Sequence, residues 1–285
     1  MTTLICWVTY DQNKPASIYL ASDSRLSWSE KTFWNNGRKI FYSKKYPDIL
    51  GYCGDVVFCS QVISQVISYI DECDVFKGVF DSEIKIEIIK KTIFEALSQY
   101  PISNSIGLFE IIYITREEKY QFKIYSLKWD KNNGWDTSSI FLPEIDLKEV
   151  TRARLLCAIG TGGIKYELYY NKFYKDSDIG GYSRSYFMCL DSFLETNIDS
   201  YSGGTIQIAA LYTKNEAMPH GLIKNNEKHL YGLKVDRVNF NNEIRWVNEC
   251  FENCDIETMM RQEGAQIQPK IYLGKKTQRR NFLPR

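Results

Sequence analysis

The second residue of the chain is a threonine, a residue type that can carry catalysis when it stands at a free N-terminus. Met1 precedes Thr2, and a residue as small as threonine permits removal of the initiator methionine. The threonine would then carry both a hydroxyl and an α-amine, and an amine that titrates near neutral pH can take the hydroxyl proton. Because chains that begin with Met-Thr are common, this pair predicts a nucleophile only if other polar residues lie beside it.

One carboxylate and two cations follow on the next predicted strands. Asp23 and Arg25 are two residues apart and would project from one face, where they could form an ion pair, with or without a chemical role. Lys39 alternates with Phe41, which places it on an apolar face. Such a lysine either is drawn to the Asp23 carboxylate, where its charge would lower the pKa of nearby groups, or extends past the apolar face to solvent.

Three glycine-rich turns lie at the ends of predicted strands or helices. Gly54 opens the first long helix, where backbone N–H groups could stabilise a developing oxyanion. Segment 158–163 (Ala-Ile-Gly-Thr-Gly-Gly) ends a later strand and lacks the lysine and the serine or threonine of a P-loop. Segment 199–204 (Asp-Ser-Tyr-Ser-Gly-Gly) joins a helix to a strand. Each turn also has an ordinary structural explanation when it is taken alone.

Taken in order, these segments resemble the β-type subunits of proteasomes and the bacterial HslV-type and Anbu-type peptidases. In that family an N-terminal threonine is followed by Asp-x-Arg, a lysine, a glycine that opens the first helix, and two later glycine-rich turns. Asp23 and Lys39 stand 16 residues apart, which is the family spacing. Segment 199–204 matches the last motif in full, whereas Thr161 stands where serine is usual. The resemblance covers about residues 2–236.

The resemblance implies a role for each matching residue. Thr2 would be the nucleophile and, through its amine, the base. Asp23 and Lys39 would form the charged pair that tunes it, supported by Arg25. Gly54 would offer its N–H to the oxyanion. Hydrogen bonds around the Thr2 amine would come from three further positions: Thr161, Asp199 and Ser202.

The same resemblance implies an activity and an assembly. We predict a threonine-type endopeptidase that cleaves peptides or unfolded proteins through an acyl-enzyme on Thr2 and requires no metal or organic cofactor. Family members form rings or spirals, so a homo-oligomer is expected, with an ATP-dependent unfoldase as a candidate partner. Two alternatives remain open: a catalytically silent shell or scaffold subunit, and an N-terminal-nucleophile amidase that acts on a small molecule.

The composition excludes several other classes of function. Among the 285 residues, 36 lysines and arginines balance 35 aspartates and glutamates, and this net charge of +1 provides no basic surface for nucleic acid or an acidic membrane. Two histidines are too few for a multi-histidine metal site. The eight cysteines form no C-x-x-C pair, and the N-terminus has no signal-peptide pattern, which predicts reduced thiols in a cytoplasmic protein.

Hydrophobic periodicity predicts the elements that would position these residues. Alternation predicts strands in the first fifty residues and again after two amphipathic helices over 54–70 and 81–99, the second with Ile84 facing inward. Two more helices follow near 166–174 and 182–196, before the last strands. Two helix pairs outside a pair of sheets predict an α+β protein, a four-layer αββα sandwich, which is the N-terminal-nucleophile (Ntn) hydrolase fold of the resembled family.

The C-terminal part is expected to lie outside this core. The core domain is predicted over 1–236, with an insertion at about 214–228, and residues 237–285 form an extension. Trp246, Phe251 and a short helix over 255–263 could dock on a neighbouring subunit or pack on their own chain. The basic residues 275–280 are expected to stay solvated.

Overall fold

The structure, a computed structural model, describes residues 2–101, 106–144, 152–237, 244–265 and 267. Within these residues the strands are β1 (Leu4–Asp11), β2 (Lys14–Ser22), β3 (Leu26–Ser27), β4 (Phe33–Trp34), β5 (Ile40–Tyr42), β6 (Asp48–Cys53), β7 (Phe109–Glu118), β8 (Gln121–Asp130), β9 (Gly134–Ser139), β10 (Ala153–Ile159), β11 (Gln207–Tyr212), β12 (Met218–Lys224), β13 (Glu227–Leu230), β14 (Leu233–Lys234) and β15 (Arg245–Asn248). The helices are α1 (Val56–Glu72), α2 (Ser82–Ser98), α3 (Gly163–Phe173) and α4 (Ser183–Glu195).

The strands form two large sheets and one small hairpin. The first sheet has the order β10-β1-β2-β11-β12-β13-β14, with β15 parallel to β12, and the second has the order β5-β6-β7-β8-β9. β3 and β4 pair only with each other among the described strands. Because β1 pairs with both β10 and β2, its first residue is held on two sides: Leu4 lies opposite Ile159 and Ser22.

Three apolar layers show how the sheets and helices stack. Alternate residues of β1 pack into different layers, because successive side chains of a strand point to opposite faces. Leu4 and Cys6 lie between the two sheets with Ile112 of β7, whereas Ile5 and Trp7 pack against α3 and α4. A third cluster joins the second sheet to α1 and α2. The predicted four-layer αββα sandwich is therefore confirmed.

Helix α2 begins as predicted and buries most of the predicted face, including Ile89, Ile93 and Leu97, but Ile84 is an exception. The Asp81 side chain caps it by accepting the backbone N–H of Glu83 at 2.8 Å. Ile84, expected to face inward, is 52% exposed, while Lys85 is buried and lies 3.2 Å from the Asp48 carboxylate. A buried carboxylate needs a counter-charge, which explains why a lysine is buried near the start of this helix.

The region expected to be an insertion is part of the first sheet. Residues 218–224 of this segment form β12, which pairs with β11, and its Leu222 and Ile223 are buried. Without β12, strand β11 would leave a row of unpaired backbone groups at the edge of the sheet.

The described residues include no helix long and apolar enough to cross a membrane.

The described part of the C-terminal extension packs on its own chain. Trp246 of β15 is 4% exposed, and the Phe251 ring stacks on Phe187 of α4 at 4.8 Å. Turns replace the helix predicted over 255–263: Asp255 accepts the backbone N–H of Thr258, and Met259 has a left-handed φ of 58° that ends any helical turn. Residues 275–280 lie outside the described residues.

Candidate active site

Asp23 and Lys39 form an ion pair in the interior. Lys39 Nζ donates to Asp23 Oδ1 at 2.7 Å, and neither side chain has any exposed surface. Asp23 follows β2 of the first sheet and Lys39 precedes β5 of the second, so the pair bridges the two sheets. Burial lowers the pKa of Lys39 below its ordinary value, although the Asp23 carboxylate opposes this shift. Each charge compensates the desolvation of the other.

The same carboxylate fixes the backbone around it. Asp23 Oδ1 also accepts the backbone N–H of Thr3 at 3.0 Å, and Oδ2 accepts those of Arg25 at 3.1 Å and Gly203 at 2.9 Å. Thus one side chain fixes the position of the residues just before β1 relative to the end of the 199–204 turn. Because Oδ1 binds both the Thr3 N–H and Lys39 Nζ, the ammonium lies next to the peptide that joins residues 2 and 3.

Arg25 does not make the predicted ion pair with Asp23. Its Nε donates to Asn35 Oδ1 and another guanidinium nitrogen donates to the Ser200 carbonyl, each at 2.9 Å. The guanidinium also stacks over the Phe33 ring at 3.9 Å. Strand β2 ends before Asp23, so the two side chains are not on one strand face and alternation no longer relates them.

A second polar network also contacts residues 2 and 3, just before β1. The backbone nitrogen of Thr2 donates to Thr161 Oγ1 at 3.3 Å, and that hydroxyl donates to Asp199 Oδ2 at 3.0 Å. Ser202 Oγ donates to the same oxygen at 2.7 Å and accepts from Thr3 Oγ1 at 2.8 Å. Three residues predicted to surround the Thr2 nitrogen therefore lie together. Met1 lies outside the described residues.

The turn over 158–163 contacts the start of the N-terminal strand closely. Gly162 N–H donates to the Thr2 carbonyl at 3.2 Å. Gly160 has a left-handed φ of +84°, and a Cβ there would come within 2.1 Å of the Thr2 carbonyl oxygen. A Cβ at Gly162 would overlap Thr3 Oγ1. Glycine is needed at both positions because the threonines approach this backbone so closely.

Gly54 lies at the start of α1, as predicted, and close packing also requires a glycine at this position. Its φ is +100°, and a Cβ would lie 2.2 Å from the Leu108 carbonyl oxygen, just before β7. Asp55 follows it and caps the helix by accepting the Phe58 N–H at 2.9 Å. The close approach of Leu108 requires glycine here whatever chemistry the N–H performs.

Sequence reasoning missed two residues of this site. Lys165, in the first turn of α3, places Nζ 2.8 Å from Asp199 Oδ1. It lies two residues after the glycine-rich turn over 158–163, and this position at a predicted site turn is the signal that could have identified it. Gln207 of β11 is buried, and its Oε1 accepts the backbone N–H groups of Lys39 and Ile40 at 2.8 and 3.1 Å. A polar residue between Ile206 and Ile208 was the signal there.

Gln207 links the two sheets at the ion pair. Besides accepting from Lys39, its Nε2 donates to the Asp23 carbonyl at 3.2 Å, Ser24 Oγ at 3.0 Å and the Gly37 carbonyl at 2.8 Å. A single amide thus satisfies backbone groups on both sides of the buried pair, which would otherwise be costly to bury.

The two histidines have partners away from this network. His220 of β12 is buried, and burial lowers its pKa to about 3, so the ring is neutral. Its Nε2 lies 3.2 Å from the Tyr212 hydroxyl, on the face of the first sheet that packs against α4. His229 Nδ1 lies 3.3 Å from Thr205 Oγ1. In the described part of the chain, no group of three or more histidine, cysteine or acidic side chains could hold a metal ion, and no disulfide joins the cysteines.

The solved structures that are similar to this chain include an HslV and an Anbu protein, which are the two kinds of peptidase that the motifs suggested. Eukaryotic HslV from Trypanosoma brucei is 14% identical, with a TM-score of 0.43, over 73% of this chain and 99% of the HslV chain. An Anbu Gly-1 mutant from Hyphomicrobium sp. strain MC1 is 12% identical, with a TM-score of 0.49, over 76% of this chain and 82% of the Anbu chain. No protein-family model and no curated protein matches the chain.

Proposed function

We propose that the protein is an Ntn hydrolase that cleaves peptide bonds through an acyl-enzyme on the Thr2 hydroxyl after loss of Met1. The observation that carries this proposal is the contact of the Thr2 nitrogen with Thr161 Oγ1 at 3.3 Å in the Asp199 network, next to Thr3, whose N–H binds the Asp23 carboxylate of the buried pair. With Met1 attached this nitrogen is a peptide amide, whereas without it the nitrogen is a primary amine beside its own hydroxyl. An isolated hydroxyl is too weak an acid to attack an amide at neutral pH, so a base within hydrogen-bond reach is needed.

The proposed reaction proceeds in two stages. The Thr2 amine takes the hydroxyl proton as the oxygen attacks the substrate carbonyl, and the Gly54 N–H donates to the resulting oxyanion. The amine then returns the proton to the leaving nitrogen as the C–N bond breaks, which leaves an ester on Thr2. Water, activated by the same amine, hydrolyses this ester and restores the hydroxyl. Lys39 favours the neutral amine by placing a positive charge nearby.

The polar network orients the amine in this scheme. Asp199 accepts from the hydroxyls of Thr161 and Ser202, which leaves a lone pair of Thr161 directed at the Thr2 nitrogen. The amine lone pair is then free to face its own hydroxyl. A histidine base is less well supported because His220 bonds to Tyr212 in a core layer.

Intact-mass analysis and a fluorogenic peptide assay on one preparation test the proposal. We expect loss of Met1 together with peptide cleavage. Thr2→Ala should reduce cleavage to background, while Thr2→Ser should retain part of it because serine keeps both hydroxyl and amine. Thr9→Ala is the matched control, since that hydroxyl lies on the same strand but contacts Ser17. Cleavage by a chain that keeps Met1 would contradict the mechanism, because its amine is blocked.

The alternatives give different results in the same assays. A chain that loses Met1 but leaves every peptide intact would favour the small-molecule amidase, whereas a chain that keeps Met1 and is inert would favour the shell subunit.

We also propose that the protein forms a homo-oligomer. The apolar side chains of Ile164 and Leu168, which are 74% and 66% exposed on α3, agree with such an assembly. Light scattering of the purified protein measures this directly, and a monomeric mass would contradict it.

A further inference from the structure

The Asp199 carboxylate lies between two hydroxyls and one cation. Thr161 and Ser202 both donate to Oδ2, whereas Lys165 Nζ donates to Oδ1 at 2.8 Å. The Asp199 side chain has no exposed surface, but that of Lys165 is 45% exposed. The cation therefore lies at the rim of the site, with its head group directed inward.

The charges around Asp199 make Lys165 its direct electrostatic partner. Among the described side chains, Lys165 alone forms an ion pair with this carboxylate. The Arg25 guanidinium donates to the neighbouring Ser200 carbonyl and not to this carboxylate, and the Asp23 carboxylate of the Asp23–Lys39 pair binds the Gly203 N–H. Burial by itself would raise the pKa of Asp199, but the hydrogen bonds from Lys165, Ser202 and Thr161 outweigh it, and the pKa lies below its ordinary value.

The charge of Asp199 determines which way the hydrogen bonds run. An ionised carboxylate only accepts, so both hydroxyls must point their protons at it. The Thr161 oxygen then has a lone pair free to accept from the Thr2 nitrogen. A protonated carboxyl would donate to one of the hydroxyls and reverse this order.

We propose that Lys165 is a positioning residue that keeps Asp199 ionised and thereby orients the Thr161 hydroxyl toward the Thr2 nitrogen. The proposal rests on the proposed function for its catalytic consequence, but the Lys165–Asp199 coupling is measurable without any activity. Removing the cation would leave the Asp199 charge uncompensated, which raises the pKa of Asp199 and also that of a Thr2 amine.

The pH dependence of peptide cleavage tests the catalytic consequence. For Lys165→Met, the acid limb of kcat/KM should move about one pH unit toward higher pH, a roughly tenfold loss below the limb, with near-normal rates at high pH. Lys165→Arg should restore the original limb. Lys172→Met, on the last turn of the same helix, is the matched control and should follow the wild type. A Lys165→Met profile that superimposes on the wild type would overturn the proposal.

A direct titration separates this proposal from the proposed function. Carbon-13 NMR of aspartate labelled at Cγ, assigned with Asp199→Asn, should show the Asp199 resonance titrating at higher pH in Lys165→Met than in the wild type or Lys172→Met. An unchanged Asp199 titration refutes the coupling whether or not the protein is active. A shifted titration in a protein without peptidase activity would refute the proposed function and leave the coupling in place.

Discussion

Lys39 Nζ lies 2.7 Å from Asp23 Oδ1 at a point where neither side chain reaches solvent. The pair connects the end of β2 to the start of β5, and the same carboxylate binds the backbone of Thr3. The pair has two proposed roles: it holds the two sheets together, and it places a charge beside the peptide bond that follows the proposed nucleophile. Separate variants can distinguish these roles.

Replacing Lys39 with methionine should abolish peptide cleavage and also destabilise the fold. Asp23 would remain buried without its counter-charge, at a cost of about 3–5 kcal/mol in the free energy of unfolding. The double variant Asp23→Asn/Lys39→Met should regain part of that stability, because no uncompensated charge remains although one side of the Asn amide faces backbone N–H groups, but no activity. Urea unfolding and a peptide assay on both variants measure the two effects, and near-normal hydrolysis by Lys39→Met would exclude the catalytic role.

Gly160→Ala should inactivate the protein, because the new Cβ would come within 2.1 Å of the Thr2 carbonyl oxygen. Gly134→Ala is the matched control: its φ of +74° is similar, but nothing lies within 4 Å of the new Cβ. We expect the control to lose about 1 kcal/mol of stability and no activity, since only the left-handed conformation is penalised. Equal activity in the two variants would show that the turn does not position Thr2.

The buried His220 should make stability depend on pH in the acid range. The pKa of a histidine is near 6.5 in the unfolded chain and about 3 for His220 in the folded one. Between these values only the unfolded chain binds the proton, so the free energy of unfolding falls as the pH is lowered from about 6.5 to about 3, by at most about 1.4 kcal/mol per pH unit.

His220→Gln should flatten this part of the stability profile, as measured by urea unfolding at a series of pH values. His229→Gln is the comparison, and its effect should be smaller because that side chain is 14% exposed. An equally steep profile in His220→Gln would mean that other groups cause the acid destabilisation.

Trp246→Ala should destabilise the subunit by about 3–5 kcal/mol, because it removes a large side chain that is 4% exposed. Trp28→Ala, at a tryptophan 70% exposed, is the control and should change stability by less than about 0.5 kcal/mol. Urea unfolding compares the two variants. If Trp246→Ala instead keeps its stability but changes the mass measured by light scattering, the C-terminal extension serves assembly and not its own subunit.

Local physics made much of the fold predictable. Alternation in β1 separates Leu4 and Cys6 from Ile5 and Trp7, and the structure buries these two sets in different layers. The Asp81 cap was predictable because capping involves neighbours in the chain. By contrast, the burial of Lys85 depends on Asp48, which lies in another element and leaves no periodic signal in α2.

The candidate site likewise has a part that could be predicted from the sequence and a part that only the tertiary structure decided. Residue types and spacing suggested that Lys39 could pair with Asp23, since a lysine on an apolar face needs a partner, and the resemblance to proteasome-like peptidases grouped both with Thr2. Only the tertiary structure decided that Arg25 turns away from Asp23 and that Gln207 and Lys165 complete the network. Sequence patterns report how a residue relates to its chain neighbours, whereas hydrogen bonds between sheets depend on distances that exist only once the layers have packed.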